Sequence, residues 1–164
     1  MRRIISIANQ LKYNRNTTCT KPNTKYFLKR NMSSGASSEE MKAKLSKDTG
    51  EETIFDKIIR KEIPSTVVFE DDDILAFRDV NPQAPTHILL IPKVRAGLTQ
   101  ISKAEESHQQ ILGKLMYTAT KVAKQENLGN GYRLVINDGV EGCQSVYHLH
   151  LHLIGGRQLT WPPG

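Results

Sequence analysis

Gln144-Ser145-Val146-Tyr147-His148-Leu149-His150-Leu151-His152-Leu153-Ile154-Gly155-Gly156 is the stretch on which the reading of this chain turns. Histidine and leucine alternate with period two, and successive side chains of a strand point to opposite faces. A strand over Val146–Ile154 therefore sets His148, His150 and His152 on one face and Leu149, Leu151 and Leu153 on the other. The first face carries chemistry and the second carries core.

Three imidazoles sharing one face fit a fortuitous polar strand, a solvated edge or a metal site. Imidazole is a common zinc ligand, and three ligands with one open position describe a catalytic zinc. The neighbours argue otherwise. Asn137, Gln144 and Ser145 are neutral hydrogen-bonding residues, whereas Cys, Asp or Glu would more naturally complete a zinc site. They suit an anionic substrate, and neither a metal nor another cofactor is expected.

The pattern His-φ-His-φ-His-φ-φ, with Gln144-Ser145-Val146 before it and Gly155-Gly156-Arg157-Gln158 after it, resembles the signature of the histidine triad superfamily. Asn81-Pro82-Gln83-Ala84-Pro85-Thr86-His87 and the closing Trp161-Pro162-Pro163-Gly164 narrow the resemblance to the nucleotide-binding branch that acts as purine nucleoside phosphoramidases. The similarity spans roughly Thr53 to Gly164. It implies cleavage of the P–N bond of adenosine 5′-phosphoramidates, and possible action on acyl-AMP, through a covalent nucleotidyl-histidine that releases AMP. The alternatives are a non-catalytic purine nucleotide-binding protein and a dinucleoside polyphosphate hydrolase. Retention of all three histidines with Ser145 argues against the first; the His at 152, where polyphosphate-cleaving branches often carry Gln, argues against the second.

Attack at phosphorus needs a nucleophile that can later leave, and neutral imidazole qualifies near neutral pH. The resemblance makes His150 that nucleophile, with its other nitrogen held by a backbone carbonyl. It makes His152 the donor to phosphate oxygens, His148 the support behind the nucleophile and His87 a fourth supporting histidine. Ser145 and Gln144 would aim polar groups at the phosphate or the leaving amine. The backbone N–H groups of Ser145 and Val146 would receive developing charge, and Asn137 would neighbour phosphate or ribose. Asp79 would accept both ribose hydroxyls, and Ile54, Phe55, Ile58, Phe77 and Val80 would enclose the base, although spacing alone reads these apolar five as core. The departure is Cys143, where close relatives tend to have a smaller residue.

The rest of the chain frames this domain. The 164 residues carry a formal +6, which divides unevenly. Residues 1–38 hold eight of the 23 basic residues and no acid; residues 39–164 keep 15 basic against 17 acidic, or −2. The basic balance thus points to no nucleic-acid partner for the fold. Ile4, Ile7, Ala8 and Leu11 gather on one helical face of an acid-free leader rich in Arg, Lys, Ser and Asn, the make-up of a mitochondrial transit peptide. A start at Met32 would omit it and leave a cytoplasmic or nuclear form. Cys19 and Cys143 form no obvious disulfide framework, consistent with a reducing compartment. No run of about 18 apolar residues exists to span a membrane.

Residues 39–52 read as a mobile linker with a short helix possible over Glu39–Lys47, and residues 53–164 as the domain. Thr53 is a good N-cap for a helix Ile54–Lys61. Strands are expected at Thr66–Glu70, Ile74–Asp79, His87–Ile91, Tyr132–Asn137 and Val146–Ile154, with Asp71-Asp72-Asp73 as a polar turn. Ser102-Lys103-Ala104-Glu105 reads as a capping box opening a core helix that Gly129 ends, with His108 on its exposed side. The order αβββαββ, without βαβ alternation, argues an α+β domain: a five-stranded, mainly antiparallel sheet with two helices. An exposed strand edge invites a second copy, and the resemblance implies a homodimer whose two sheets join.

Overall fold

A computed structural model describes residues 38–163. Most of the basic leader, with Cys19 and Met32, lies outside the described residues. Helix α1 (Ser38–Leu45) and helix α2 (Ile54–Ile59) lead into β1 (Val67–Glu70), β2 (Ile74–Arg78) and β3 (Thr86–Pro92). Two short 3-10 turns, Ile101–Lys103 and Glu106–His108, precede α3 (Gln109–Gln125), which is followed by β4 (Tyr132–Val135) and β5 (Leu151–Gly155). The five strands form one sheet in the order β1-β2-β3-β5-β4, every pair antiparallel. The chain is thus α+β, as the element order predicts.

The sheet is covered on both faces, which explains why every residue of β3 is buried. Ile88 and Leu90 face α3, whose Leu115, Ala119, Val122 and Ala123 form one core with Leu149, Leu151 and Leu153. The alternate residues Leu89 and Ile91 face α2 and pack with Phe55, Ile58, Leu75 and Phe77. The Leu89↔His152 and His87↔Ile154 pairings put His87 and His152 on this second face, under α2. Helix α2 is set in place by a capping box: Asp56 N–H donates to Thr53 Oγ1, and Thr53 N–H donates to Asp56 Oδ2 at 2.7 Å. The acid triplet is the expected turn, with Asp71 Oδ1 accepting from the N–H groups of Asp73 and Ile74.

Five expectations need correction. The triad strand is shorter than its alternation suggests: β5 begins at Leu151, so of the three histidines only His152 is in the ladder. His148 and His150 precede it in an extended run whose backbone pairs elsewhere, with Leu149 N–H donating to Leu98 O. The capping box before α3 is Glu105 with His108, not Ser102 with Glu105. Ser102 instead offers its N–H to Asp138 Oδ1 at 3.0 Å. His108 is consequently buried, Nδ1 accepting from Glu105 N–H at 3.0 Å and Nε2–H donating to Ala96 O at 3.1 Å. Helix α3 ends before Gly129, because Asn127 takes the left-handed conformation (φ 58°) and Leu128 N–H closes onto Ala123 O.

The fifth correction concerns residues 39–52. The short helix is present as α1, but the segment does not stand clear of the domain as a linker. Ala43 is fully buried, Ser46 Oγ donates to the carbonyl of Ser145 at 2.8 Å, and Asp48 Oδ2 accepts from Thr99 Oγ1 and Lys103 Nζ at 2.6 and 2.5 Å. Sparse apolar content hid this attachment, which is made through hydroxyls and one carboxylate. Among the described residues no helix is long and apolar enough to cross a membrane.

Candidate active site

A cleft of ≈ 730 Å³ opens on the α2 face of the sheet. Its walls include Ile54 and Phe55 of α2, Asp79 and Val80 after β2, His87 and Leu89 of β3, Asn137, Ser145 and Val146 of the loop before the triad, and His150 and His152. Because β3 and β5 are neighbours, chain segments more than 60 residues apart converge on this cleft.

The hydrogen bonds fix which nitrogen of each ring carries a proton. His150 Nδ1 lies 2.8 Å from the carbonyl of His148 and must donate, since a carbonyl only accepts. In the neutral ring Nε2 is then bare. His148 Nε2 lies 2.7 Å from the carbonyl of Pro92 and donates likewise. The His148 ring is fully buried, its bare Nδ1 having no hydrogen-bond partner and Asp56 Oδ1 standing at 3.7 Å. A separate chain serves His152. Gln83 N–H donates to His87 Nδ1 (3.2 Å), which places the proton of His87 on Nε2. That proton is directed to His152 Nδ1 at 2.9 Å, so His152 carries its own proton on Nε2, an atom buried without a partner in the protein. Of the two triad rings that line the cleft, His150 therefore offers a bare imidazole nitrogen and His152 an unspent N–H donor, with centroids 5.0 Å apart.

Burial keeps all four rings neutral. It pushes His148 down to about 4 and His152 to about 3, and lowers His150 and His87. Phe55 packs against the His150 ring in an edge-to-face contact, centroids 5.2 Å apart at 78°.

The other candidate residues divide. Ser145, Val146, Asn137, Asp79, Val80, Ile54 and Phe55 line the cleft, but Phe77 and Ile58 do not and pack in the core behind it. Gln144 is not aimed at a substrate. Its side chain is fully buried, Nε2 donating to the carbonyls of Thr99 and Val146 and Oε1 accepting from Gly139 N–H, so it pins the loop that carries Ser145. Asn137 Nδ2 donates weakly to Cys143 O at 3.4 Å. Cys143 itself sits at φ 61°, where a residue with a Cβ is strained, and neighbouring Gly142 has no room for one, since a Cβ would lie 2.3 Å from Asp138 O. Arg133, Val135, Gln83 and Ile154 also line the cleft and went unnoticed. Only the β5 pairing, invisible to local pattern, brings Arg133 there.

Asp79, His87 and His152 offer oxygen and nitrogen atoms all within 4.8 Å of one another, a spacing that invites a metal. The test is the His87–His152 contact. At 2.9 Å the two nitrogens share a proton, whereas tetrahedral zinc with bonds of about 2.0–2.1 Å needs both bare and roughly 3.3 Å apart. As arranged, His87 and His152 make a hydrogen-bonded pair and not a ligand set.

Residues 60–159 match the HIT domain family. The chain is 75% identical over 112 residues to the Arabidopsis thaliana protein named adenylylsulfatase HINT1, covering 68% of this chain and 76% of that one. It is 67% identical over 127 residues to a Zea mays protein named 14 kDa zinc-binding protein, covering 77% and 99%. Among solved structures, a HIT family hydrolase from Legionella pneumophila superposes with a TM-score of 0.66 at 52% identity, covering 69% of this chain and all of that one. With its triad running into the strand that joins β3 to β4, this chain belongs to the HIT family, in its histidine triad nucleotide-binding branch. At the level of class it is a nucleotide-binding hydrolase.

Proposed function

We propose that the chain hydrolyses the P–N bond of adenosine 5′-phosphoramidates, with acyl-AMP as a further substrate, through an adenylate carried on His150. The observation that supports this best is the hydrogen bond from His150 Nδ1–H to the His148 carbonyl, which leaves Nε2 as a lone pair beside the cleft. Nε2 attacks phosphorus, the P–N bond breaks, and the departing nitrogen takes a proton from water in the cleft and leaves as the free amine; the hydroxide so formed is neutralised by the proton that the hydrolytic water gives up in the next step. Water then attacks the phosphorus of the phosphohistidine, the P–Nε2 bond breaks, and AMP leaves as the imidazole is restored. His152 Nε2–H donates to a phosphate oxygen as charge gathers on it, and Ser145 offers a second donor; preorganised donors of this kind account for large rate effects. Asp79, with Oδ1 already accepting from Asn81 N–H, would take the ribose hydroxyls through Oδ2.

The name of the Arabidopsis relative supports a related reading, the same attack with sulfate as the leaving group from adenylyl sulfate. Purified protein incubated with an adenosine 5′-phosphoramidate should release AMP. An adenylate on His150 should appear in mass spectrometry after quenching that preserves P–N bonds. Absence of both would overturn the reading.

Two further proposals accompany it. The functional unit is a homodimer in which two sheets join edge to edge; light scattering should give twice the chain mass. The leader directs the protein to mitochondria; a fluorescent fusion of the full chain should enter them and one starting at Met32 should not. Equal cytosolic distribution would reject this.

A further inference from the structure

Helix α1 lies N-terminal to the matched domain, yet it contributes to the cleft. Glu39 and Lys42, spaced three residues apart on one helical face, line the same cavity as His150, His152 and Ser145, with Ser46 a turn further on. The helix is attached at the site itself, through Ser46 Oγ to the carbonyl of Ser145 and through the buried Ala43.

The charges on this face are arranged around the reacting group. Lys42 Nζ donates to Glu39 Oε1 at 2.9 Å. Glu39 is held below the usual carboxylate range first by Lys42 and then by the Ser145 hydroxyl, with His150 near enough to contribute. Lys42 is raised chiefly by Glu39, with a further contribution from Asp79. Lys42 lines the same cleft as Ser145 and Asp79. Arg133, another cation of the wall, is spent on the carbonyl of Thr160. The Lys42–Glu39 pair is largely exposed, 61% and 42% for the two side chains, and exposed pairs of this kind are weak enough to be exchanged for a ligand.

We propose that α1 is a wall of the substrate cleft and that Lys42 is a specificity-determining residue, binding a negatively charged leaving group on the far side of the α-phosphate. An incoming sulfate, carboxylate or second phosphate takes Lys42 from Glu39, whereas the neutral nitrogen of a simple phosphoramidate does not. Lys42 touches the leaving group in the bound complex and takes no part in proton transfer. The inference rests on the reading of the cleft as a site for AMP conjugates.

The test compares full-length protein with Lys42→Ala, Lys42→Arg and Lys42→Glu on two substrates, adenylyl sulfate and adenosine 5′-phosphoramidate. Lys42→Ala should lower the ratio of kcat/KM for the sulfate over the amidate about fivefold, mainly through KM, the size of one partly exposed ion pair. Lys42→Arg should restore the ratio and Lys42→Glu should lower it further. Binding supplies a readout without turnover: Lys42→Ala should weaken ADP, whose β-phosphate stands in for the leaving group, by a similar factor relative to AMP. If the ratio and the ADP-to-AMP preference are both unchanged in Lys42→Ala, the assignment is wrong. If the parent protein turns over neither conjugate, the hydrolase reading fails while the ADP and AMP measurements still decide the role of Lys42.

Discussion

His150 and His152 stand two residues apart with their ring centroids 5.0 Å from each other, and their protons are fixed by opposite means. The tautomer of His150 is set by a main-chain carbonyl, that of His148. The tautomer of His152 is set by a side chain, His87, which is itself set by the N–H of Gln83. A carbonyl cannot be mutated away and cannot change its acceptor character. The ring proposed to attack is therefore tied to the backbone, and the ring proposed to donate is tied to a replaceable partner.

The largest expected effect falls on the backbone-held ring. His150→Ala should reduce turnover by on the order of 10⁴ or more, leaving chiefly the contribution of the remaining donors. AMP binding should persist, since the proposed ribose and base contacts come from other elements; a titration of the variant with AMP checks this. Retention of a substantial fraction of turnover would end the covalent scheme. Ser145→Ala comes next, on the order of ten- to a thousandfold in kcat, for loss of one transition-state hydrogen bond.

His87→Ala sharpens the comparison. It removes the partner that holds the proton of His152 on Nε2, so kcat should fall by about tenfold while His150 keeps its own tautomer. Adenylate formation should slow but still occur in single-turnover experiments. A loss as large as that of His150→Ala would mean that the two holding systems are one.

The pH dependence follows from burial. An unfolded histidine titrates near 6.5, whereas His148 is pushed down to about 4 and His152 to about 3. Below about pH 6.5 the unfolded chain binds protons that the folded chain refuses. The stability these rings supply is thus complete above about 6.5 and is lost as pH falls through 4 and then 3. Thermal unfolding at pH 5 should come measurably below that at pH 7.5. Because burial also lowers His150, the acid limb of kcat/KM should lie below the ordinary histidine range. The smallest expected effect is that of a chelator: turnover should be unchanged, and zinc-restored loss would show that the His87–His152 hydrogen bond opens to take a metal.

Local signals in the sequence carried the sheet and the existence of the triad, because period-two alternation and turn residues are short-range. Thr53 identified the start of α2 for the same reason. What eluded the sequence was set by partners distant along the chain. The expected capping box at Ser102 lost to Asp138, which takes the Ser102 N–H from 36 residues away. Gln144 looked like a substrate contact because a polar residue beside the triad invites that reading; only the carbonyl of Thr99 shows that it is a loop anchor. His148 and His150 read as strand by alternation, yet both precede β5, and their rings donate to the carbonyls of Pro92 and His148. The attachment of α1 was equally hidden, resting on a bond between residues 99 apart in the chain.

The order β1-β2-β3-β5-β4 has a consequence for how this molecule is made. Of the five strands β5 is synthesised last, but it sits between β3 and β4. Until it inserts, β4 has no neighbour in the sheet and β3 keeps an open edge, so the nascent chain carries unpaired backbone groups on two strands at once. The strand that closes this gap is the one bearing His152. A polypeptide interrupted before residue 151 is thus a half-built sheet without the donor of its site, and the sheet and the reactive centre are completed by the same few residues, in one event.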